Sequence, residues 1–249
     1  MLQRVLVADG AMGTMLQAAD LTLADFQDLD GCNEILNVTR PEVVAGVHRA
    51  YFDVGVDAVE TNTFGANWAN LAEYDIVDRI YELAEAGARI AREVADSYDD
   101  GKDRYVLGSV GPGTKLPSLG HTHFTVLRDA YQEEVRGLID GGADAILIET
   151  AQDLLQAKAA IIGARRAMTA ADTHVPIIAQ VTVETTGTML LGSEIGAALT
   201  ALRTIGVDAI GLNCATGPAE MSEHLRYLSQ NADLAITCMP NAGLPQLTS

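Results

Sequence analysis

Gly55-Val56-Asp57-Ala58-Val59, Gly142-Ala143-Asp144-Ala145-Ile146 and Gly206-Val207-Asp208-Ala209-Ile210 are three copies of one short pattern. In each, a glycine ends a helical stretch, a two-residue turn follows and a buried strand begins. Glycine tolerates the left-handed backbone that closes such a helix. Around these copies, short apolar runs alternate with longer helical ones. The runs predict strands near 5–9, 56–61, 105–109, 145–149, 177–182, 208–213 and 235–239. The repeat then opens the second, fourth and sixth strands of the series. A strand–helix alternation implies a parallel sheet covered by helices. In a (β/α)8 barrel, alternate strands feed the same interior layers. Three matching even strands therefore favour an α/β fold of the TIM-barrel type over a doubly wound sheet, although such turns recur across α/β folds.

The helical stretches carry their own signals. Ile76, Ile80, Leu83, Gly87, Ile90 and Val94 place one stripe along a helix of about five turns. Leu127, Tyr131, Val135 and Leu138 do the same on the next helix. Thr39-Arg40-Pro41-Glu42 reads as a capping box with a proline in the first turn, opening a helix near 40–53. Seven strands are one short of a closed barrel. The expectation is one domain over 1–249, truncated before the eighth strand, with two exposed sheet edges that favour self-association.

Composition narrows the function. The 249 residues are 48% apolar, enough for a sizeable core, and no apolar run approaches the ~18 residues of a membrane span. The first apolar run is too short for a signal peptide, so a cytoplasmic protein is expected. A net charge of −18, from 34 acids and 16 bases, repels phosphate backbones and argues against nucleic acid. Three cysteines far apart, Cys32, Cys214 and Cys238, do not suggest a disulfide framework. Gly108-Ser109-Val110-Gly111-Pro112-Gly113 lacks the lysine of a P-loop and the Rossmann spacing, which argues against a nucleotide. The histidines form no metal motif, and His48 and His224 fall on helices where solvation is expected.

Barrel active sites gather at the C-terminal ends of the strands. There the sequence places Asp9-Gly10-Ala11-Met12-Gly13-Thr14, Glu60-Thr61-Asn62-Thr63-Phe64-Gly65, Glu149-Thr150, Asn213-Cys214 and Cys238-Met239-Pro240-Asn241. Asp9 and Glu149 suit a substrate ammonium. Backbone around Gly10 and Ala11, with Thr61, suits a carboxylate, and the pair of sites suits an amino acid. The same spacing also allows Asp9 and Glu149 to cap helices or pair with bases. Cys214 is readable as a buried core residue or as a ligand. Cys32 reads as a packing residue in a loop. Cys238, on the neighbouring strand, is a candidate to share a metal with Cys214 or to be oxidised with it.

Taken in order, Asp9-Gly10-Ala11-Met12-Gly13-Thr14, Glu60-Thr61-Asn62-Thr63-Phe64, Ser109-Val110-Gly111-Pro112-Gly113, Glu149-Thr150, Gly211-Leu212-Asn213-Cys214 and Met239-Pro240-Asn241-Ala242-Gly243 resemble the N-terminal homocysteine S-methyltransferase domain of cobalamin-dependent methionine synthases. The resemblance covers nearly the whole chain and implies a (β/α)8 barrel that activates the homocysteine thiol on zinc for methyl transfer from methylcobalamin. It implies Cys214 as zinc ligand and catalytic residue, with Asn213 supporting it. It implies Asp9 and Glu149 at the ammonium, and Gly10, Ala11 and Thr61 at the carboxylate. It implies folate- and cobalamin-binding domains of a larger enzyme as partners, with methylcobalamin on a separate domain. The family supplies two further zinc ligands as adjacent cysteines at the eighth strand, and this sequence has no such pair. The resemblance therefore implies an incomplete zinc site and a chain inactive alone. The alternatives are a non-catalytic amino acid-binding barrel, or a homocysteine methyltransferase using betaine or another donor.

Overall fold

A computed structural model of the chain describes residues 4–242. Met1, Leu2 and Gln3, the end Leu247-Thr248-Ser249, and Gly243 of the last motif lie outside the described residues. Six parallel strands follow one another in a single curled sheet: β1 (Ala58–Glu60), β2 (Tyr105–Val110), β3 (Ala145–Ala151), β4 (Ile177–Val181), β5 (Ala209–Asn213) and β6 (Ala235–Met239). Nine α-helices lie among the described residues: α1 (Met12–Gln17), α2 (Leu36–Thr39), α3 (Pro41–Asp53), α4 (Trp68–Glu73), α5 (Ile80–Asp96), α6 (Phe124–Asp140), α7 (Leu154–Ala170), α8 (Ile195–Ile205) and α9 (Pro218–Asn231). Spatial order equals chain order throughout, so this is a (β/α)8-type barrel left open, and not a doubly wound sheet.

The predicted strand near 5–9 is a correction. It pairs at a single residue, Ala8, opposite Ala58. The ladder stops at Asp9, whose carboxylate accepts the Glu60 amide at 3.0 and 3.1 Å and so takes the place of a strand carbonyl. Val5 is 82% exposed at this edge, so little burial holds the segment flat.

The three repeats share one device. Asp57 accepts the Val7 amide at 2.8 Å, Asp144 that of Val106 at 2.7 Å and Asp208 that of Ile177 at 2.8 Å. Each aspartate also donates its own amide to the carbonyl of the same residue, at 2.7 Å for Asp57 and 2.8 Å for Asp144 and Asp208. The two bonds clamp the start of β1 to the segment at Val7, of β3 to β2 and of β5 to β4, and set the register. The preceding glycines, Gly55, Gly142 and Gly206, have φ of 96°, 94° and 88°, the left-handed backbone expected of them.

Strand alternation divides the side chains. Val59, Val106, Val110, Ile146, Ile148, Ile177, Val181, Ile210 and Leu212 join the helices in the main core. The stripes on α5 and α6 are buried there or beside it, through Leu83, Ile90, Val94, Leu127, Tyr131, Val135 and Leu138. The opposite phase points into the barrel. Cys32 is 1% exposed and packs with Ile35, Leu71 and Leu83 in a second cluster.

Two local expectations fail. The capping box at Thr39 does not form, because the Thr39 hydroxyl donates to the carbonyls of Asp25 and Ile35 and Glu42 pairs with Arg40 at 2.6 Å. His48 is not solvated but fully buried, with no partner for either ring nitrogen. Burial lowers its pKa from 6.5 to about 4.

Replacing Asp144 by alanine should lower stability by about 1–3 kcal/mol, since it leaves the Val106 amide unpaired and removes the 2.9 Å pair with Arg92; urea unfolding reads this. His48 takes up a proton on unfolding between its folded and ordinary pKa. Its contribution is therefore complete above about pH 6.5 and is lost as pH falls toward 4, up to about 3 kcal/mol. From pH 7.5 to 4.5 the parent should lose up to that much stability relative to a His48→Leu variant, which does not titrate at this position; urea unfolding of the two reads the change in their difference.

Candidate functional site

The inward phase of the sheet ends in polar groups at its C-terminal rim. Glu149, 7% exposed at the end of β3, accepts the Ser109 hydroxyl at 2.6 Å from β2 and the Asn213 side-chain amide at 2.9 Å from β5. Asn213 thus reaches across β4, and its carbonyl oxygen accepts the Thr150 amide at 2.8 Å. Thr150, Cys214 and Ala215 adopt φ of 55°, 55° and 57°. That left-handed backbone costs a non-glycine residue about 1 kcal/mol or more and clusters at functional positions. The turn after Asn213 aims Cys214 back over the rim, 3.9 Å from the Thr150 hydroxyl and 3.7 Å from the Asn213 amide nitrogen.

Asp9 stands at the other side of the opening. Its two oxygens accept the Glu60 amide at 3.0 and 3.1 Å. It caps no helix, since α1 has no side-chain cap, and neither it nor Glu149 pairs with a base among the described residues. The capping and ion-pair alternatives are not realised. Burial pushes both carboxyls above the usual range, and the charge of Glu149 adds to the shift on Asp9. Cys214 is pushed up by burial first and by the charges of Glu149 and Glu60, so it is a neutral thiol in these surroundings.

Gly10 and Ala11 are exposed beside Tyr51, whose hydroxyl donates to the Ala11 carbonyl at 3.3 Å. A Cβ on Gly10 would lie 3.3 Å from that hydroxyl oxygen, a tight approach that favours glycine. Thr61 departs from its expected place at a substrate carboxylate. It is 3% exposed, accepts the Ser109 amide at 2.9 Å and shares a 2.6 Å bond with the Thr63 hydroxyl. The strand period puts it on the opposite face from Glu60.

Cys238 also faces away. Its register partner is Leu212 of the outer core, and its sulfur meets that of Met221 on α9 at 3.9 Å. Thr237 takes the inward place, where it accepts the Gln180 side-chain amide at 3.1 Å. The structure does not bring Cys238 to Cys214 as a shared ligand pair. No group of three or more histidine, cysteine or acidic side chains is placed to hold a metal ion among the described residues.

Residues 6–249 match the family described as homocysteine S-methyltransferase. The chain belongs to that family, which is one of enzymes. It is 68% identical over 246 residues to a methionine synthase of Mycobacterium tuberculosis, covering 98% of this chain and 21% of that protein. It is 66% identical over 247 residues to a methionine synthase of Mycobacterium leprae, covering 98% and 20%. The chain thus spans about a fifth of the length of these homocysteine S-methyltransferase relatives. In fold it is similar to the metallated form of the homocysteine methyltransferase MmuM from Escherichia coli, with a TM-score of 0.75 at 23% identity over 97% of this chain and 85% of that one.

Two site features escaped the list of candidate residues. Ser109 holds Glu149 directly, and Glu60 points inward between Asp9 and Glu149. Both lie within quoted motifs, and the period-two phase of their strands was the available signal. Asn213→Ala would leave the Thr150 amide and one Glu149 oxygen without their partners. A loss of about 1–3 kcal/mol in urea unfolding is expected, with Ser109→Ala costing less because it frees only one carboxylate bond.

Proposed function

We propose that this chain binds L-homocysteine at the strand-end rim and presents its thiol beside Cys214, as the homocysteine-binding part of a methionine synthase. The observation that carries this reading is the pair of half-buried Asp9 and buried Glu149, which have no basic partner among the described residues and share the rim with Cys214. A substrate ammonium supplies the missing positive charge through charge-assisted hydrogen bonds. Exposed backbone at Gly10 and Ala11 is left for the carboxylate. Thr61 acts at one remove, by fixing Ser109, which holds Glu149. Asn213 orients Glu149 and supports Cys214.

Methyl transfer makes a carbon–sulfur bond at the homocysteine thiol and yields methionine. Its nucleophile is the thiolate, which a bound zinc ion favours. Cys214 is the ligand this chain contributes. The described residues do not complete a zinc site, since four-coordinate zinc needs more donors than one thiol and Cys238 faces α9. The remaining donors come from outside these residues, and the chain alone does not turn over. The methyl donor is methylcobalamin on a separate domain, with a folate-binding domain in the same larger enzyme; methionine synthase relatives about five times as long support this. The cytoplasm is the proposed location, and no described helix is long and apolar enough to cross a membrane.

Calorimetric titration with L-homocysteine, with and without zinc, tests the reading. Weak, zinc-independent binding that is lost in Asp9→Asn and Glu149→Gln is expected. Binding that needs zinc would show that a usable metal site survives in this chain, and binding indifferent to both substitutions would sink the amino acid pocket.

A further inference from the structure

We propose that Glu60 is a third carboxylate of the amino-group pocket and makes the site select thiols that carry a protonated amine. The inference rests on the homocysteine reading above and extends it to a residue that reading does not use. Glu60 ends β1, and its backbone amide is the group that both oxygens of Asp9 accept. Its neighbour Val59 packs in the helix-facing core, so Glu60 takes the inward phase. There it shares the inward face of the rim with Asp9 and Glu149, and none of the three pairs with a base among the described residues.

The bonding of the three carboxylates differs. Asp9 and Glu149 each hold protein donors, whereas the Glu60 Oε1 is shut from solvent with no donor at all. A second orphan faces the same interior. Gln180 on β4, 1% exposed, gives its amide nitrogen to Thr237 and leaves its oxygen unpartnered. Buried acceptors without donors are uncommon in folded proteins and point to a group that the protein chain does not supply. A ligand suited to these acceptors and to the carboxylates beside them donates several hydrogen bonds and carries positive charge. An alkylammonium does both, with three N–H donors for three carboxylates. Partial exposure of Glu60 toward the rim leaves it an approach from the mouth where Cys214 stands. A thiol acid without the amine, an anion at neutral pH, would bring no donor to these acceptors and would leave them unpaired.

Calorimetry on the purified chain separates the possibilities with three reduced probes: L-homocysteine, 3-mercaptopropylamine, which lacks the carboxylate, and 4-mercaptobutyrate, which lacks the amine. Glu60→Gln should weaken the two amines by about tenfold or more and leave 4-mercaptobutyrate within about twofold. Glu60→Asp, which keeps the charge, should retain the preference for amines. Equal weakening of all three probes in both variants would mark Glu60 as structural and overturn the proposal. Loss of amine binding in Asp9→Asn and Glu149→Gln, but not in Glu60→Gln, would overturn it while the homocysteine reading stands. A parent chain that binds neither amine would remove both.

Discussion

The side chain of Asn213 spans two strands of this sheet. One end donates to Glu149 on β3 and the other accepts the Thr150 amide, with β4 passing between. A flat sheet could not make that contact, because strands two apart lie about 10 Å from each other in the hydrogen-bonding direction. The curl of the open barrel brings the inward side chains together, and the Asn213 bonds hold the rim in that shape. The left-handed backbone at Thr150 and Cys214 is paired within the same set of bonds.

Charge follows from that geometry. The rim carries Asp9, Glu60 and Glu149 with no base paired to them among the described residues, and burial raises all three. Structural ion pairs elsewhere in the chain look different. Arg4–Asp57 and Arg104–Asp100 are close pairs at 2.7 Å, each with one partner well exposed to water, and both aspartates are held below the usual carboxylate range. An acidic protein can scatter its carboxylates in water at little cost. Burying three together is costly unless a cation arrives.

The two strand-end cysteines of the described residues face different layers. Cys214 is delivered by the turn after Asn213, whereas Cys238 belongs to the outer layer with Met221. Strand neighbours in sequence order need not be neighbours at the site, because the period of two sends adjacent positions to opposite faces. The neutral character of Cys214 follows from burial and from the carboxylates beside it. Those carboxylates therefore disfavour a bare thiolate at Cys214.

Sequence periodicity alone determined the parallel α/β order, the helical stripes on α5 and α6 and the glycine-led turns, because local backbone preference and apolar spacing act over a few residues. The ordered motifs also marked Asp9, Glu149, Asn213 and Cys214 as rim residues. Tertiary structure decided the rest. The aspartate of each repeat turned out to clamp the neighbouring strand, an interaction across 31 to 50 residues of chain that no local pattern encodes. The edge reduced the first strand to a bridge, and the packing of α3 buried His48 where helical position suggested water. Thr61 and Cys238 turned to the outer face, while Glu60 turned inward beside Asp9. Residue type states what a side chain can bond, but strand phase and sheet curvature decide which partners it meets.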